Sequence, residues 1–158
     1  MLKLLVSLFL WGCVGPSPTG VLEGEVAPQT KGGALDGSTV VVQSEGGRPA
    51  LLVFWASWCL PCRAEVPHVN AIVEQYGDRV EVIGINMGEP EAKVRESAQA
   101  LGMRYPTLVD PQSEISSLWR VRSLPLGVVL DANGRIRFRG NGLPGQPTTL
   151  LDGLLVAP

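Results

Sequence analysis

The chain of 158 residues carries 13 Lys and Arg against 15 Asp and Glu, and 45 % of it is hydrophobic. A near-neutral chain with no basic block is not expected to bind nucleic acid, because phosphate neutralisation needs clustered Lys and Arg. The apolar content argues against disorder and suffices for one domain with a core of its own, while 3 cysteines are too few for a disulfide scaffold.

Residues 1–13 read as an address. Lys3 precedes a short apolar run, Leu4 to Trp11. That run is far below the roughly 20 residues a membrane-spanning helix needs, and it has the length of a secretory h-region. No Ala-x-Ala cleavage site follows. Leu10-Trp11-Gly12-Cys13 resembles a bacterial lipobox, whose Cys is lipidated and becomes the new N-terminus, although Trp11 stands where a small residue is usual. The expectation is a lipoprotein-type signal peptide over 1–12, lipid attachment at Cys13 and a place on the periplasm-facing bacterial envelope. Plain export with an incidental Cys13, or a cytosolic protein, are the alternatives. Residues 14–30 are rich in Gly, Pro, Ser and Thr without an apolar period. A flexible tether is therefore expected over 13–30, ahead of one domain over 31–158.

Thr39 to Gln43 is β-branched and predicts an outer strand, and Gly46-Gly47-Arg48-Pro49 a turn. Leu51 to Trp55 is a continuous apolar run, as in a central strand covered on both faces. A helix is predicted from Leu60 to Gln75, then a second central strand over Val80 to Asn86. Pro90 to Leu101 predicts a helix, with Val94, Ala98 and Leu101 on one face and Gly102 ending it. A short strand over Pro106 to Val109 and a helix over Ser113 to Val121 follow. Leu126 to Leu130 and Arg135 to Arg139 predict a hairpin around Asp131-Ala132-Asn133-Gly134. Arg135, Arg137 and Arg139 then read as the solvated face of an edge strand. A C-terminal helix is expected over Thr148 to Val156. This order predicts an α/β sandwich around a mixed sheet.

The chemistry-bearing residues are Trp58-Cys59-Leu60-Pro61-Cys62. They lie past the carboxyl end of a predicted central strand and at the start of a helix, where open α/β sheets bind ligands. The free N–H groups and partial positive charge of a helix N-terminus stabilise a thiolate and lower its pKa. Cys59, at the exposed helix mouth, is the candidate nucleophile. Cys62, one turn inward, can resolve a mixed disulfide, and Pro61 suits a first turn that needs no N–H. A structural zinc site would need four ligands. His68 lies about 240° around the helix from Cys62 and cannot share a metal with it, so no metal is expected. A purely structural disulfide is the other alternative.

Phe54 to Pro67, with its Trp-Cys-x-Pro-Cys core, resembles the thioredoxin superfamily, and most closely the exported TlpA/ResA-like thiol–disulfide oxidoreductases. Pro67 stands where these folds carry a helix-kinking proline. Gly84 to Glu89 is similar to the family's second central strand, and Val128 to Ile136 to its closing hairpin. The long stretch from Asn86 to Leu124 resembles the extra helix and strand of the TlpA-like branch. The resemblance, over residues 27–142, implies a thioredoxin-like sandwich with that insertion. It implies that Pro125 is cis and packs against the Cys pair, with Leu124 offering its backbone to an extended substrate. Pro106 is a rival that fits the inserted segment better. Leu126-Gly127 departs from the Thr and aromatic usual after that proline.

Thioredoxins proper carry a buried Asp six residues before the first Cys, where this chain has Val53. Glu65, one turn past Cys62 on the same helical side, is the replacement candidate for moving the Cys62 proton. The alternative is a solvated Glu that serves the helix dipole. Glu89 is expected to be only a capping-region acid and His68 a surface residue, while Trp55 and Trp58 are expected to pack around the site and limit water.

The implied activity is protein thiol–disulfide exchange in either direction, with Cys59, Cys62 and Glu65 in the chemistry and Trp58, Leu124 and Pro125 facing substrate. No cofactor is expected. The expected partners are proteins bearing cysteines or disulfides, an upstream electron donor or acceptor protein, and the membrane through the lipid. A monomer is expected. A redox-inert binding or assembly module on the same fold is the competing class. A thiol peroxidase is disfavoured because Ser57-Trp58 does not supply the Pro-x-x-x-Thr/Ser pattern before Cys59. A copper chaperone is disfavoured by the narrow Cys spacing and a single His.

Overall fold

Seven strands and four α-helices stand in the computed structural model, which describes residues 20–42 and 47–156. β1 (Thr30–Gly33) and β2 (Thr39–Val42) form an antiparallel hairpin. β3 (Ala50–Trp55) leads into α1 (Leu60–Tyr76), and β4 (Glu81–Met87) into α2 (Glu91–Ala100). β5 (Thr107–Asp110) precedes the short α3 (Glu114–Leu118). β6 (Leu126–Leu130), β7 (Ile136–Gly140) and α4 (Pro147–Val156) complete the fold. The main sheet runs β5-β4-β3-β6-β7, parallel across its first three strands and antiparallel at β6 and β7. This is the expected mixed α/β sandwich.

Every residue of β3 is buried, as its unbroken apolar run requires of a strand covered on both faces. Leu51 and Val53 pack towards Val69 and Ile72 of α1, whereas Leu52 and Phe54 pack towards Ile83, Ile85 and Trp119. Val53 therefore sits in apolar packing, where no carboxylate is available.

The structure departs from the sequence reading in four places. β1 was not predicted, since Thr-Lys-Gly-Gly has no apolar alternation; pairing with β2 makes it a strand. The expected tether over 13–30 is packed chain from residue 20 onwards, with Val21 and Ala27 buried. That segment lies along β7: Gly24 N–H donates to Ile136 O, Ile136 N–H to Glu25 O, and Ala27 N–H to Gly134 O. The sheet edge is thus covered by backbone rather than guarded by a solvated arginine face. The arginines are tied down locally: Arg137 lies 3.4 Å from Asp131, and Arg139 donates to Trp119 O at 2.8 Å. The helix expected over Ser113 to Val121 shrinks to α3. Cys13, and with it the lipid expectation, lies outside the described residues.

Trp119 is fully buried and donates its indole N–H to Thr30 Oγ1 at 2.8 Å, joining the β1–β2 hairpin to the core. Thr30→Val keeps the shape and removes the acceptor. It is expected to cost about 1–3 kcal/mol, the penalty for a buried unsatisfied donor. A lowered urea midpoint at unchanged slope would register it; an unchanged midpoint would count against it.

Candidate active site

The end of β3 delivers the chain to a tight turn in which Cys59 N–H donates to Ala56 O at 3.1 Å. Cys59 is the N-cap of α1, and its Sγ accepts the Cys62 N–H at 3.2 Å. A sulfur thus takes one of the orphan donors of the helix start, so negative charge forming there is met by a hydrogen bond and the helix dipole. Pro61 lies in the first turn, where its missing N–H costs nothing. Pro67 lies inside the helix and is exposed. Cys59 and Cys62 form a disulfide with Cα atoms 5.3 Å apart.

Both cysteines are 4 % exposed, so the expectation of an open Cys59 is corrected: the sulfurs sit in an apolar cluster with Trp55, Ala56, Val94 and Ala98. Trp55 is a buried member of that cluster, so it packs around the site as expected. Trp58 does not shield the site; it is 65 % exposed, and Leu60 beside it 70 % exposed. These two side chains form an apolar rim on either side of Cys59 in sequence.

The Leu124-Pro125 peptide is cis, and Leu124 packs against the cluster that contains both cysteines. Pro106 carries no cis bond. Gly127 of β6 faces the chain after β7 so closely that a Cβ there would lie 2.1 Å from Gly142 O. Glycine after the cis proline is therefore a packing requirement. Gly142 N–H donates to Pro125 O at 3.2 Å, and Leu143 N–H donates to Glu65 Oε1 at 3.1 Å. Gly142 has φ 74°, and a Cβ on it would collide with that carboxylate. Glu65 thereby ties α1 to the β7–α4 loop, which in turn contacts the cis proline through Gly142. Its second oxygen, Oε2, is buried without a hydrogen-bond partner. It is not a solvated helix residue. Burial, and then the Glu65 charge, push the Tyr105 phenol up, which puts Tyr105 within electrostatic reach of Glu65.

Glu89 overturns its expected role as a plain capping-region acid. It is 9 % exposed, and its carboxylate accepts three hydrogen bonds. Ser57 N–H donates at 2.7 Å, Ser57 Oγ–H at 2.5 Å and Asn86 Nδ2–H at 2.8 Å. Burial pushes this carboxyl up, but the Ser57 and Asn86 donors, helped by the Lys93 charge, outweigh that and hold it below the usual carboxylate range.

Residues 24–139 match the AhpC/TSA family. The chain belongs to that family. The thiol–disulfide oxidoreductase ResA of Geobacillus thermodenitrificans is 31 % identical over 120 residues, covering 75 % of this chain and 69 % of ResA. A disulfide-isomerase candidate from Bacteroides thetaiotaomicron superposes with a TM-score of 0.78 at 29 % identity, over 87 % of this chain and 92 % of that one. The exposed lipoprotein thioredoxin of Streptococcus pneumoniae gives 0.65 at 26 % identity, over 80 % and 100 %. This AhpC/TSA-family protein is accordingly a thiol–disulfide oxidoreductase with a thioredoxin-like fold.

In the oxidoreductase, the structure gathers Cys59, Cys62, Leu124 and Pro125 at one end of the sheet, with Glu65 tied to the β7–α4 loop that contacts Pro125. His68 is exposed on α1. Among the described residues, no group of three or more His, Cys, Asp or Glu is placed to hold a metal. Sequence reading missed the Ser57–Glu89–Asn86 network and the Gly142-Leu143 loop. The one available signal was the Asn86-Met87-Gly88-Glu89 spacing, which puts an amide and a carboxylate three residues apart around a glycine with φ 75°.

Proposed function

We propose that this oxidoreductase works on the periplasm-facing side of a bacterial envelope, held there by a lipid on Cys13, and exchanges disulfides with cysteines of other proteins. The observation that carries the exchange is the disulfide at the N-terminus of α1, packed against Leu124 ahead of the cis proline. In the reducing direction, the Cys59 thiolate attacks a client disulfide. A bond forms between Cys59 Sγ and one client sulfur, and the other client sulfur leaves as a thiolate. The Cys62 thiolate then attacks Cys59 Sγ and expels the second client thiolate. Two electrons pass from the dithiol to the client, and a donor protein must restore them. The oxidising direction is the same sequence reversed.

In this reading Glu65 takes the Cys62 proton, and an extended client segment lies against Trp58, Leu124 and Pro125; the support is the unpartnered Glu65 Oε2 one turn past Cys62 and the exposure of Trp58. No cofactor enters the scheme. The defining test is catalysis of insulin reduction by dithiothreitol. A rate above dithiothreitol alone is expected, and no such rate would leave a redox-inert binding module.

The anchor rests on the lipobox-like Leu10-Trp11-Gly12-Cys13 after a short apolar run. None of the described helices is long and apolar enough to cross a membrane. Mass spectrometry of the protein from bacterial membranes is expected to find a diacylglyceryl group on an N-terminal Cys13. A mature form without acyl chains would refute it.

A further inference from the structure

We propose that Glu89 is a positioning residue of the active site whose charge holds the Cys59 thiol above the pKa its helix terminus alone would give, and so makes the dithiol a stronger reductant. The inference rests on the thiol–disulfide reading above and deepens it.

Glu89 belongs to the loop between β4 and α2, yet two of its three hydrogen bonds come from Ser57, 32 residues away and two residues before Cys59. With consecutive Cα atoms ~3.8 Å apart, the Cα atoms of Ser57 and Cys59 cannot be separated by more than about 7.6 Å. A buried carboxylate is therefore fastened to the turn that presents the nucleophile. The Asn86 amide fixes the remaining geometry from β4. Three donors to one carboxylate favour its ionised form, so the site holds a negative charge throughout the pH range in which a thiol titrates.

Other charges face the same turn. Lys93 on α2 lies towards Glu89 but is shared with Glu96 at 3.5 Å. Arg63 on α1 lines a shallow depression with Ser57, Lys93 and Glu96. Glu65 on α1 is bound to Leu143 of the β7–α4 loop. Glu89 differs from all of these in being hydrogen-bonded to the turn itself.

The sign follows from the charges. A fixed anion near Cys59 disfavours its thiolate and leaves the neutral thiol and the disulfide almost untouched. The reduced protein is thereby less stable wherever Cys59 is ionised, and the pair gives up its electrons more readily. The effect must vanish at pH values below the Cys59 pKa, where both forms are neutral. A role confined to loop packing would shift the equilibrium at every pH.

The experiment compares wild type, Glu89→Gln and Glu89→Asp. Iodoacetamide alkylation rates give the Cys59 pKa, and equilibration with dithiothreitol from pH 6 to pH 10 gives the stability of the pair. Glu89→Gln is expected to lower the Cys59 pKa by roughly one unit, the order of effect usual for a single nearby charge. It should move the equilibrium towards the dithiol by up to about tenfold above both pKa values, converging with wild type at low pH. Glu89→Asp, which keeps the charge and disturbs the packing, is expected to retain the wild-type pKa. An unchanged pKa in Glu89→Gln, a pH-independent shift, or Asp behaving as Gln would each overturn the proposal. Failure of the wild type to reduce insulin would instead strike the functional reading, because the dithiothreitol equilibrium reports on the cysteine pair in either case.

Discussion

Cys59→Ser is expected to reduce insulin no faster than dithiothreitol alone, whereas Cys62→Ser is expected to stall as a mixed disulfide with its client. Exposure does not choose between the sulfurs, since both residues are 4 % exposed. Helix geometry does. Cys59 is the N-cap, and its Sγ receives the Cys62 N–H at 3.2 Å. The thiolate that gains most from the helix terminus is therefore at Cys59, and the apolar rim of Trp58 and Leu60 flanks that same residue. A serine at 59 removes the attacking sulfur, and the loss should be complete within the sensitivity of the assay. A serine at 62 leaves attack intact but cannot resolve the product, so a 1:1 adduct sensitive to dithiothreitol should accumulate on a non-reducing gel. Trapping by Cys59→Ser instead would reverse the assignment. Equal turnover by wild type and both variants would remove the pair from the chemistry altogether.

What the sequence disclosed follows the range of the interactions involved. β3 and α1 were legible because their signals are local: an unbroken apolar run, then a Pro in a first turn and apolar residues at helical spacing. The Cys pair was legible for the same reason, because four consecutive residues carry it. The cis proline was reached through family resemblance, since nothing local separates Pro125 from Pro106. β1 was invisible because Gly32 answers distant neighbours and the strand exists only through its pairing with β2. A Cβ on Gly32 would lie 3.0 Å from the Ile115 side chain and 3.2 Å from that of Leu108. The packed segment after residue 20 was misread as tether because its order comes from the backbone of β7, more than a hundred residues later. Trp58 was misplaced because a tryptophan beside a reactive Cys suggests shielding, and only the turn geometry turns it outwards. Glu89 and Glu65 mark the same boundary most sharply. Their residue types and helical positions were in plain view, but their partners Ser57 and Leu143 lie 32 and 78 residues away. The chemistry of a carboxylate depends on those partners.

Glu65→Gln is expected to slow the second step far more than the first. Val53 occupies the place of the buried acid and is packed in apolar surroundings, so the proton of Cys62 needs another acceptor. Glu65 lies one turn beyond Cys62 on α1, with Oε1 committed to Leu143 N–H and Oε2 buried without a partner. That unpartnered oxygen is the atom to which this reading assigns the Cys62 proton. Glutamine keeps the acceptor for Leu143, and with it the tie to the β7–α4 loop, but cannot ionise. Resolution should therefore fall by roughly 10²–10⁴-fold at most, the usual reach of a positioned general base. The first step should respond in the opposite sense. Removing a negative charge from beside the cysteines lowers their pKa values, so the thiolate population at pH 5–6 rises and initial attack quickens there. Stopped-flow reduction across pH 5–9 separates the two steps. A slower second phase together with an unchanged or faster first phase at low pH is the expected pattern. Superimposable profiles for wild type and Glu65→Gln would reduce Glu65 to a structural tie between α1 and the loop that carries Leu143.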